Sequence, residues 1–144
     1  MVDIRYKEIR KDDRIAFILN ERGSRPRLVP CYVLEENSSI IVVQDDNVEI
    51  HRLRQSQRSF EDGRLLSSVV LGDRSDTMGS TTDCTGYPVN VGDIVAFMEA
   101  PSQGFSTSLR VGEVLRLEAA EVTIKDVLSG QKYKRKTAEV AVVE

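Results

Sequence analysis

Arginine and lysine fall in three runs whose chemistry is that of phosphate recognition. Arg22, Arg25 and Arg27 lie close together, Arg52 and Arg54 alternate with Arg58 just beyond, and Lys132, Lys134, Arg135 and Lys136 surround Tyr133. Guanidinium forks and ammonium charges pair with phosphate oxygens, and such contacts dominate protein affinity for nucleic acid. A tyrosine exposed among them offers a surface for base stacking, worth about 1–3 kcal/mol. The same residues also serve a purely structural end, because lysine and arginine on an edge strand keep sheets from pairing with one another. The 144 residues carry 20 basic and 23 acidic side chains, a net charge of −3, so any anion-binding surface has to be local.

Other chemistry finds little support. His51 is the lone histidine and cannot build a histidine-rich metal site. Its counterpart 81 residues on is Lys132, which suggests a surface strand position rather than that of a general base. Asp12-Asp13, Glu35-Glu36 and Asp45-Asp46 are paired carboxylates, but neighbours on a strand point to opposite faces, and Asp45-Asp46-Asn47 reads as a turn. No calcium-loop spacing, Gly-x-Gly-x-x-Gly or phosphate-loop pattern is present. Cys31 lies in an apolar run and should be buried and inert, whereas Cys84 sits among polar residues and should be exposed. Tyr32, Phe60, Tyr87 and Phe105 are further aromatics, too scattered for a methyl-ligand cage. A non-enzymatic protein without cofactor or metal is expected.

Composition narrows the class. With 40% hydrophobic and 30% charged residues the chain reads as an ordinary folded domain. No apolar run approaches the roughly 20 residues of a membrane-spanning helix. The opening stretch alternates charged and apolar residues without the apolar core of a signal peptide. Two cysteines without a CxxC spacing fit a reducing cytoplasm, which for a viral protein means the host's.

The elements that must position these residues read as short strands. Arg14 to Asn20, Arg27 to Glu35, Ser39 to Gln44 and Val48 to Arg54 are rich in Ile, Val and Phe and are separated by turn formers. Asp93 to Glu99, Ser108 to Leu117, Glu121 to Asp126, Gln131 to Thr137 and Val140 to Val143 repeat the pattern. Leu65 to Leu71 fits a strand or a short helix, and Asp3 to Lys11 a first-turn helix or an edge strand. Asp13-Arg14-Ile15-Ala16-Phe17 matches Asp93-Ile94-Val95-Ala96-Phe97 at a spacing of 80, which makes Phe17 and Phe97 core residues. Val33-Leu34 matches Val114-Leu115, and Ile41 to Asp45 matches Val122 to Asp126, at a spacing of 81. The same spacing aligns His51 to Arg54 with Lys132 to Arg135. The fold expected from this spacing is all-β, two tandem small barrels or sandwiches related by an internal repeat of about 80 residues. Residues 1–71 make the first, 72–89 a polar linker, and 90–144 the second.

Asn90-Val91-Gly92-Asp93-Ile94-Val95-Ala96-Phe97, followed by Arg110-Val111-Gly112-Glu113-Val114, resembles the opening of SH3-like, Tudor-like and KOW-like small barrels. In those barrels a Gly-Asp pair turns into the first strand and a second glycine lets a strand bend at the corner. The first unit has Asp12-Asp13 and Pro30-Cys31 instead. Tandem barrels of this kind are similar to small accessory or early proteins of tailed bacteriophages, some of which bind nucleic acid. The resemblance implies a binding module with DNA or RNA as partner, held by the basic strands of both units and the Arg22–Arg27 loop. Two tethered sites would add avidity. It also admits an adaptor or inhibitor docking on a host protein through sheet edges or Gly104-Phe105, and a structural component assembling through edge strands.

Overall fold

The computed structural model describes residues 1–20, 25–37, 39–54, 60–61, 63–71, 81–99 and 108–143. The chain is all-β. Its strands are β1 (Arg14–Leu19), β2 (Arg27–Glu36), β3 (Ile40–Asp45), β4 (Ile50–Arg54), β5 (Phe60–Glu61), β6 (Arg64–Leu65), β7 (Ser68–Val70), β8 (Ile94–Met98), β9 (Leu109–Leu117), β10 (Glu121–Asp126), β11 (Lys132–Lys136) and β12 (Val140–Val142). They form two five-stranded antiparallel sheets of the same layout, β4-β3-β2-β1-β7 and β11-β10-β9-β8-β12, beside the small hairpin β5-β6. The long strands lie within about two residues of their expected bounds. Leu65 to Leu71 is not helical: a turn at Leu66 and Ser67 leads into Ser68 to Val70, which pair with β1. Among the described residues no helix is long and apolar enough to cross a membrane.

Side-chain alternation sorts the core into three parts. In the N-terminal sheet Ile15, Phe17, Cys31, Val33, Ile41 and Val43 pack together, and in the C-terminal sheet Val95, Phe97, Val114, Val122, Ile124 and Val142 do the same. β1 and β8 show no polar face because both of their sides are covered. Their opposite faces, Ala16 and Ile18 with Ala96 and Met98, join Leu28, Val69, Leu71, Leu109, Ala141 and Val143 in a third cluster shared by the two sheets. The N–H of Leu109 donates to the carbonyl of Leu66 across this seam at 2.9 Å.

Both long hairpins are bent. The ladder shifts register between Val33 and Glu35 and again between Thr123 and Ile124, the mark of β-bulges. Gly112 of β9 lies under β10, where an added Cβ would stand 2.5 Å from Ile124 Cγ2 and 2.6 Å from the Lys125 carbonyl oxygen. Side-chain absence, as well as freedom to bend, is what this glycine supplies. Asp12, which holds the place of Gly92 in the N-terminal sheet, adopts the same left-handed conformation, φ 73° against 94°.

The structure departs from the expected linker over residues 81–89. Asp83 and Val89 are buried, Val89 within the C-terminal core. Asp83 Oδ1 accepts from the N–H groups of Thr85 (2.8 Å) and Tyr87 (2.9 Å), and Oδ2 from that of Val142 (2.7 Å). The opening turn of the chain is built alike. Asp3 Oδ1 accepts from Arg5 and Lys7, both at 2.8 Å, and Oδ2 from Val70 at 2.7 Å. A carboxylate, not an apolar side chain, ties each turn to the last strand of its sheet, which is why a polar composition here did not mean a linker. Cys84 follows the same correction: it is half-buried against the shared cluster rather than exposed. Residues 72–80 lie outside the described residues.

Candidate nucleic-acid interface

Among the described residues β11 is an edge strand, bonded only to β10. Lys132, Lys134 and Lys136 project from its exposed face, while Tyr133 and Arg135 face the other way and are half-buried. Alternate residues on a strand stand about 6.5–7 Å apart, so the three ammonium groups form a ladder. On β10 the same face carries Lys125 opposite Lys132, Thr123 opposite Lys134 and Glu121 opposite Lys136. β9 adds Glu113 opposite Lys125 and Arg116 opposite Thr123. Arg116 pairs with Glu118 at 3.1 Å. None of the four lysines is within ion-pair distance of a carboxylate among the described residues. Lys125 was absent from the sequence-derived set; the alternation of Glu121, Thr123 and Lys125 was the signal that placed it on the lysine face.

Two residues expected at this surface serve elsewhere. The Tyr133 ring packs on Phe97 with centroids 5.2 Å apart. The Arg135 guanidinium donates to the carbonyls of Met98 (3.0 Å) and Glu99 (2.8 Å) and sits over the Phe97 and Tyr133 rings. It thereby draws the edge strand toward the end of β8 and curls the sheet into a barrel-like shape. A guanidinium with these partners is a closure device, not a phosphate fork.

The N-terminal sheet differs on its equivalent face. Arg52 is exposed on β4 and Arg54 lies two residues on, its side chain outside the described residues. Their surroundings are apolar: Ile50 and Tyr32 are exposed, Gln44 bridges them, and Val42 lies opposite Arg52. Arg25 and Arg27 are exposed at the start of β2, where Arg27 pairs with Leu19. Arg52 faces Val42, which faces Glu35, eight residues along β2 from Arg27, roughly 26 Å at strand spacing. The loop arginines and β4 therefore do not make one site. Arg22 and Arg58 lie outside the described residues.

His51 occupies an interior position, correcting the surface assignment. Its ring packs on Phe17 with centroids 5.4 Å apart, and Nε2 lies 2.8 Å from Asp45 Oδ2. The hydrogen bond with His51 and the N–H groups of Asn47 and Glu49 hold the Asp45 carboxyl below its usual range. Asp45, Glu49 and His51 bring three potential ligand atoms within 4.8 Å of one another. A cation there would have to displace the His51 contact, because Asp45 Oδ1 already accepts from two backbone N–H groups. In the C-terminal sheet the comparable Asp126 finds an arginine, Arg110 Nη1 at 2.8 Å. Cys31 is fully buried and its thiol is pushed up by burial, so no thiolate is available at neutral pH.

A family model described as a domain of unknown function, DUF7205, matches residues 81–141. The match runs from the buried Asp83 turn into β12. A comparison with curated proteins finds no match.

Proposed function

We propose that this is a non-enzymatic binding protein, built of two SH3-like units, that holds nucleic acid along the lysine face of its C-terminal sheet. The observation that carries the reading is the set Lys125, Lys132, Lys134 and Lys136, without ion-pair partners among the described residues, on one exposed face of the edge strand β11 and its neighbour β10. Four ammonium groups without carboxylate partners among the described residues are a local cationic surface on a chain of net charge −3. The shared layout of the two sheets supports a duplicated unit, with the second copy bearing the charge. A second reading, docking on a protein partner, is favoured by the apolar patch of Tyr32, Val42 and Ile50 on the N-terminal sheet.

Fluorescence anisotropy with short single-stranded DNA, duplex DNA and RNA across a salt series tests the reading. Each phosphate contact with a single strand contributes a slope of about 0.7 in log K against log salt, so four lysines give a slope near 3. Raising salt from about 50 to 200 mM should then weaken binding roughly 50-fold. The variant Lys132→Gln, Lys134→Gln, Lys136→Gln should lose about two units of that slope. Equal binding by wild type and variant would end the proposal, as would no binding by wild type at the lowest salt.

A further inference from the structure

Where the shared core ends, a cleft of about 580 Å³ opens between the two sheets, within the range that holds small molecules. Tyr6 and Arg64 line one side, Ile94, Leu109 and Val111 the floor, and the β10–β11 turn with Leu128 the far side. Tyr6 is held at φ 63°, a conformation that favours glycine, and at the matching turn of the C-terminal sheet Gly86 takes it, φ 83°. The tyrosine ring remains 60% exposed although the Arg64 guanidinium sits 4.8 Å from its centroid. An exposed ring at a strained position, with a cation over one face, offers its other face for stacking.

The charge balance of the wall names the other half of the ligand. Arg110 is matched by Glu99 at 2.7 Å and Asp126 at 2.8 Å. Arg64 donates to the Ile4 carbonyl at 3.1 Å and has no carboxylate partner among the described residues. The Nε–H groups of Arg64 and Arg110 find no acceptor among the described residues. Arg64 thus brings to the wall a positive charge that an oxyanion can meet.

We infer that the cleft binds a nucleotide, its base stacked on Tyr6 and its phosphate held by Arg64. The choice of a nucleotide over other aromatic anions rests on the nucleic-acid reading. Ile94 on the cleft floor, Glu113, Lys125 and Lys132 form one cross-strand row, so cleft and lysine ladder share a face of the sheet.

Isothermal calorimetry on the full chain with AMP, adenosine and inorganic phosphate tests it. AMP should bind about tenfold more tightly than either fragment. Tyr6→Gly relieves the backbone and keeps the fold, so its thermal midpoint should stay or rise while AMP affinity falls about tenfold; Arg64→Gln should weaken AMP alike. The triple lysine variant should keep AMP affinity within about twofold while losing oligonucleotides. AMP binding without oligonucleotide binding would sink the lysine-face reading and leave the cleft standing. Equal binding of AMP, adenosine and phosphate, or an unchanged affinity in Tyr6→Gly, would overturn the cleft proposal.

Discussion

Replacing Asp83 by alanine should be among the most damaging single changes in this chain. The carboxylate is 5% exposed and accepts from three backbone N–H groups, one of them on buried Val142. A hydrogen bond to a charged group contributes about 1.5–3 kcal/mol, and a buried donor that loses its acceptor costs about 1–3 kcal/mol. The Val142 bond takes the full figure, and the two turn amides less because water reaches them. The expected loss is therefore about 3–5 kcal/mol. With a urea m-value of about 2 kcal/mol/M, the midpoint should fall by roughly 2 M. Asp83→Asn offers one carbonyl oxygen and sets its amide donors against N–H groups, so it should lose at least half as much. Asp3→Ala should behave like Asp83→Ala, since its bonds to Arg5, Lys7 and Val70 are equivalent. Because the two sheets share a core, both variants should unfold in one transition followed by far-ultraviolet circular dichroism. A loss below about 1 kcal/mol, or two resolved transitions, would refute the reasoning.

Three further outcomes can be measured. Gly112→Ala drives a Cβ into Ile124 and the Lys125 carbonyl and should cost several kcal/mol, on the order of 3; a melt within 1 °C of wild type would contradict it. Burial raises the Asp126 carboxyl, but Arg110 and the N–H groups of Leu128 and Ser129 outweigh it and hold the group below its usual range, as His51 does for Asp45. The stability both supply is present above the unfolded value near 3.9 and lost as pH falls through the folded values. The stability gap between wild type and Asp126→Asn should therefore be wide at neutral pH and close in acid; a constant gap would refute it. In native protein at mildly alkaline pH, Cys31 should resist thiol reagents until unfolding, and Cys31→Ala should label as fast as wild type.

Much of the fold was legible because strand signals are local. β10 was read to the residue from the alternation of Glu121 to Asp126. What failed were places where a polar group does the work of an apolar one. The Asp83 turn looked like a linker because its anchoring is hydrogen bonding, invisible to hydropathy. His51 was misplaced by one register step: six residues separate it from Asp45, whereas seven separate Tyr133 from Asp126. That single-residue difference in turn length flips a strand's faces. The strict alternation of Lys132, Lys134 and Lys136 already put Tyr133 and Arg135 on the opposite side, a signal that composition alone obscured. The Tyr6–Arg64 cleft had no signature at all, since its residues are 58 positions apart and meet only through the fold.

The third cluster has a consequence for how this architecture could have arisen. Ala96, Met98, Leu109, Ala141 and Val143 lie in or beside the segment that the DUF7205 model covers, yet the residues they pack on, Ala16, Ile18, Leu28, Val69 and Leu71, lie outside it. A solitary copy of such a sheet would carry an oily back with nothing against it. Its simplest remedy is a second identical chain, back to back, so that fusing two copies turns a concentration-dependent dimer into a permanent one. Were the two sheets copies of one ancestor, only one would have to keep any given surface, leaving the other free to change.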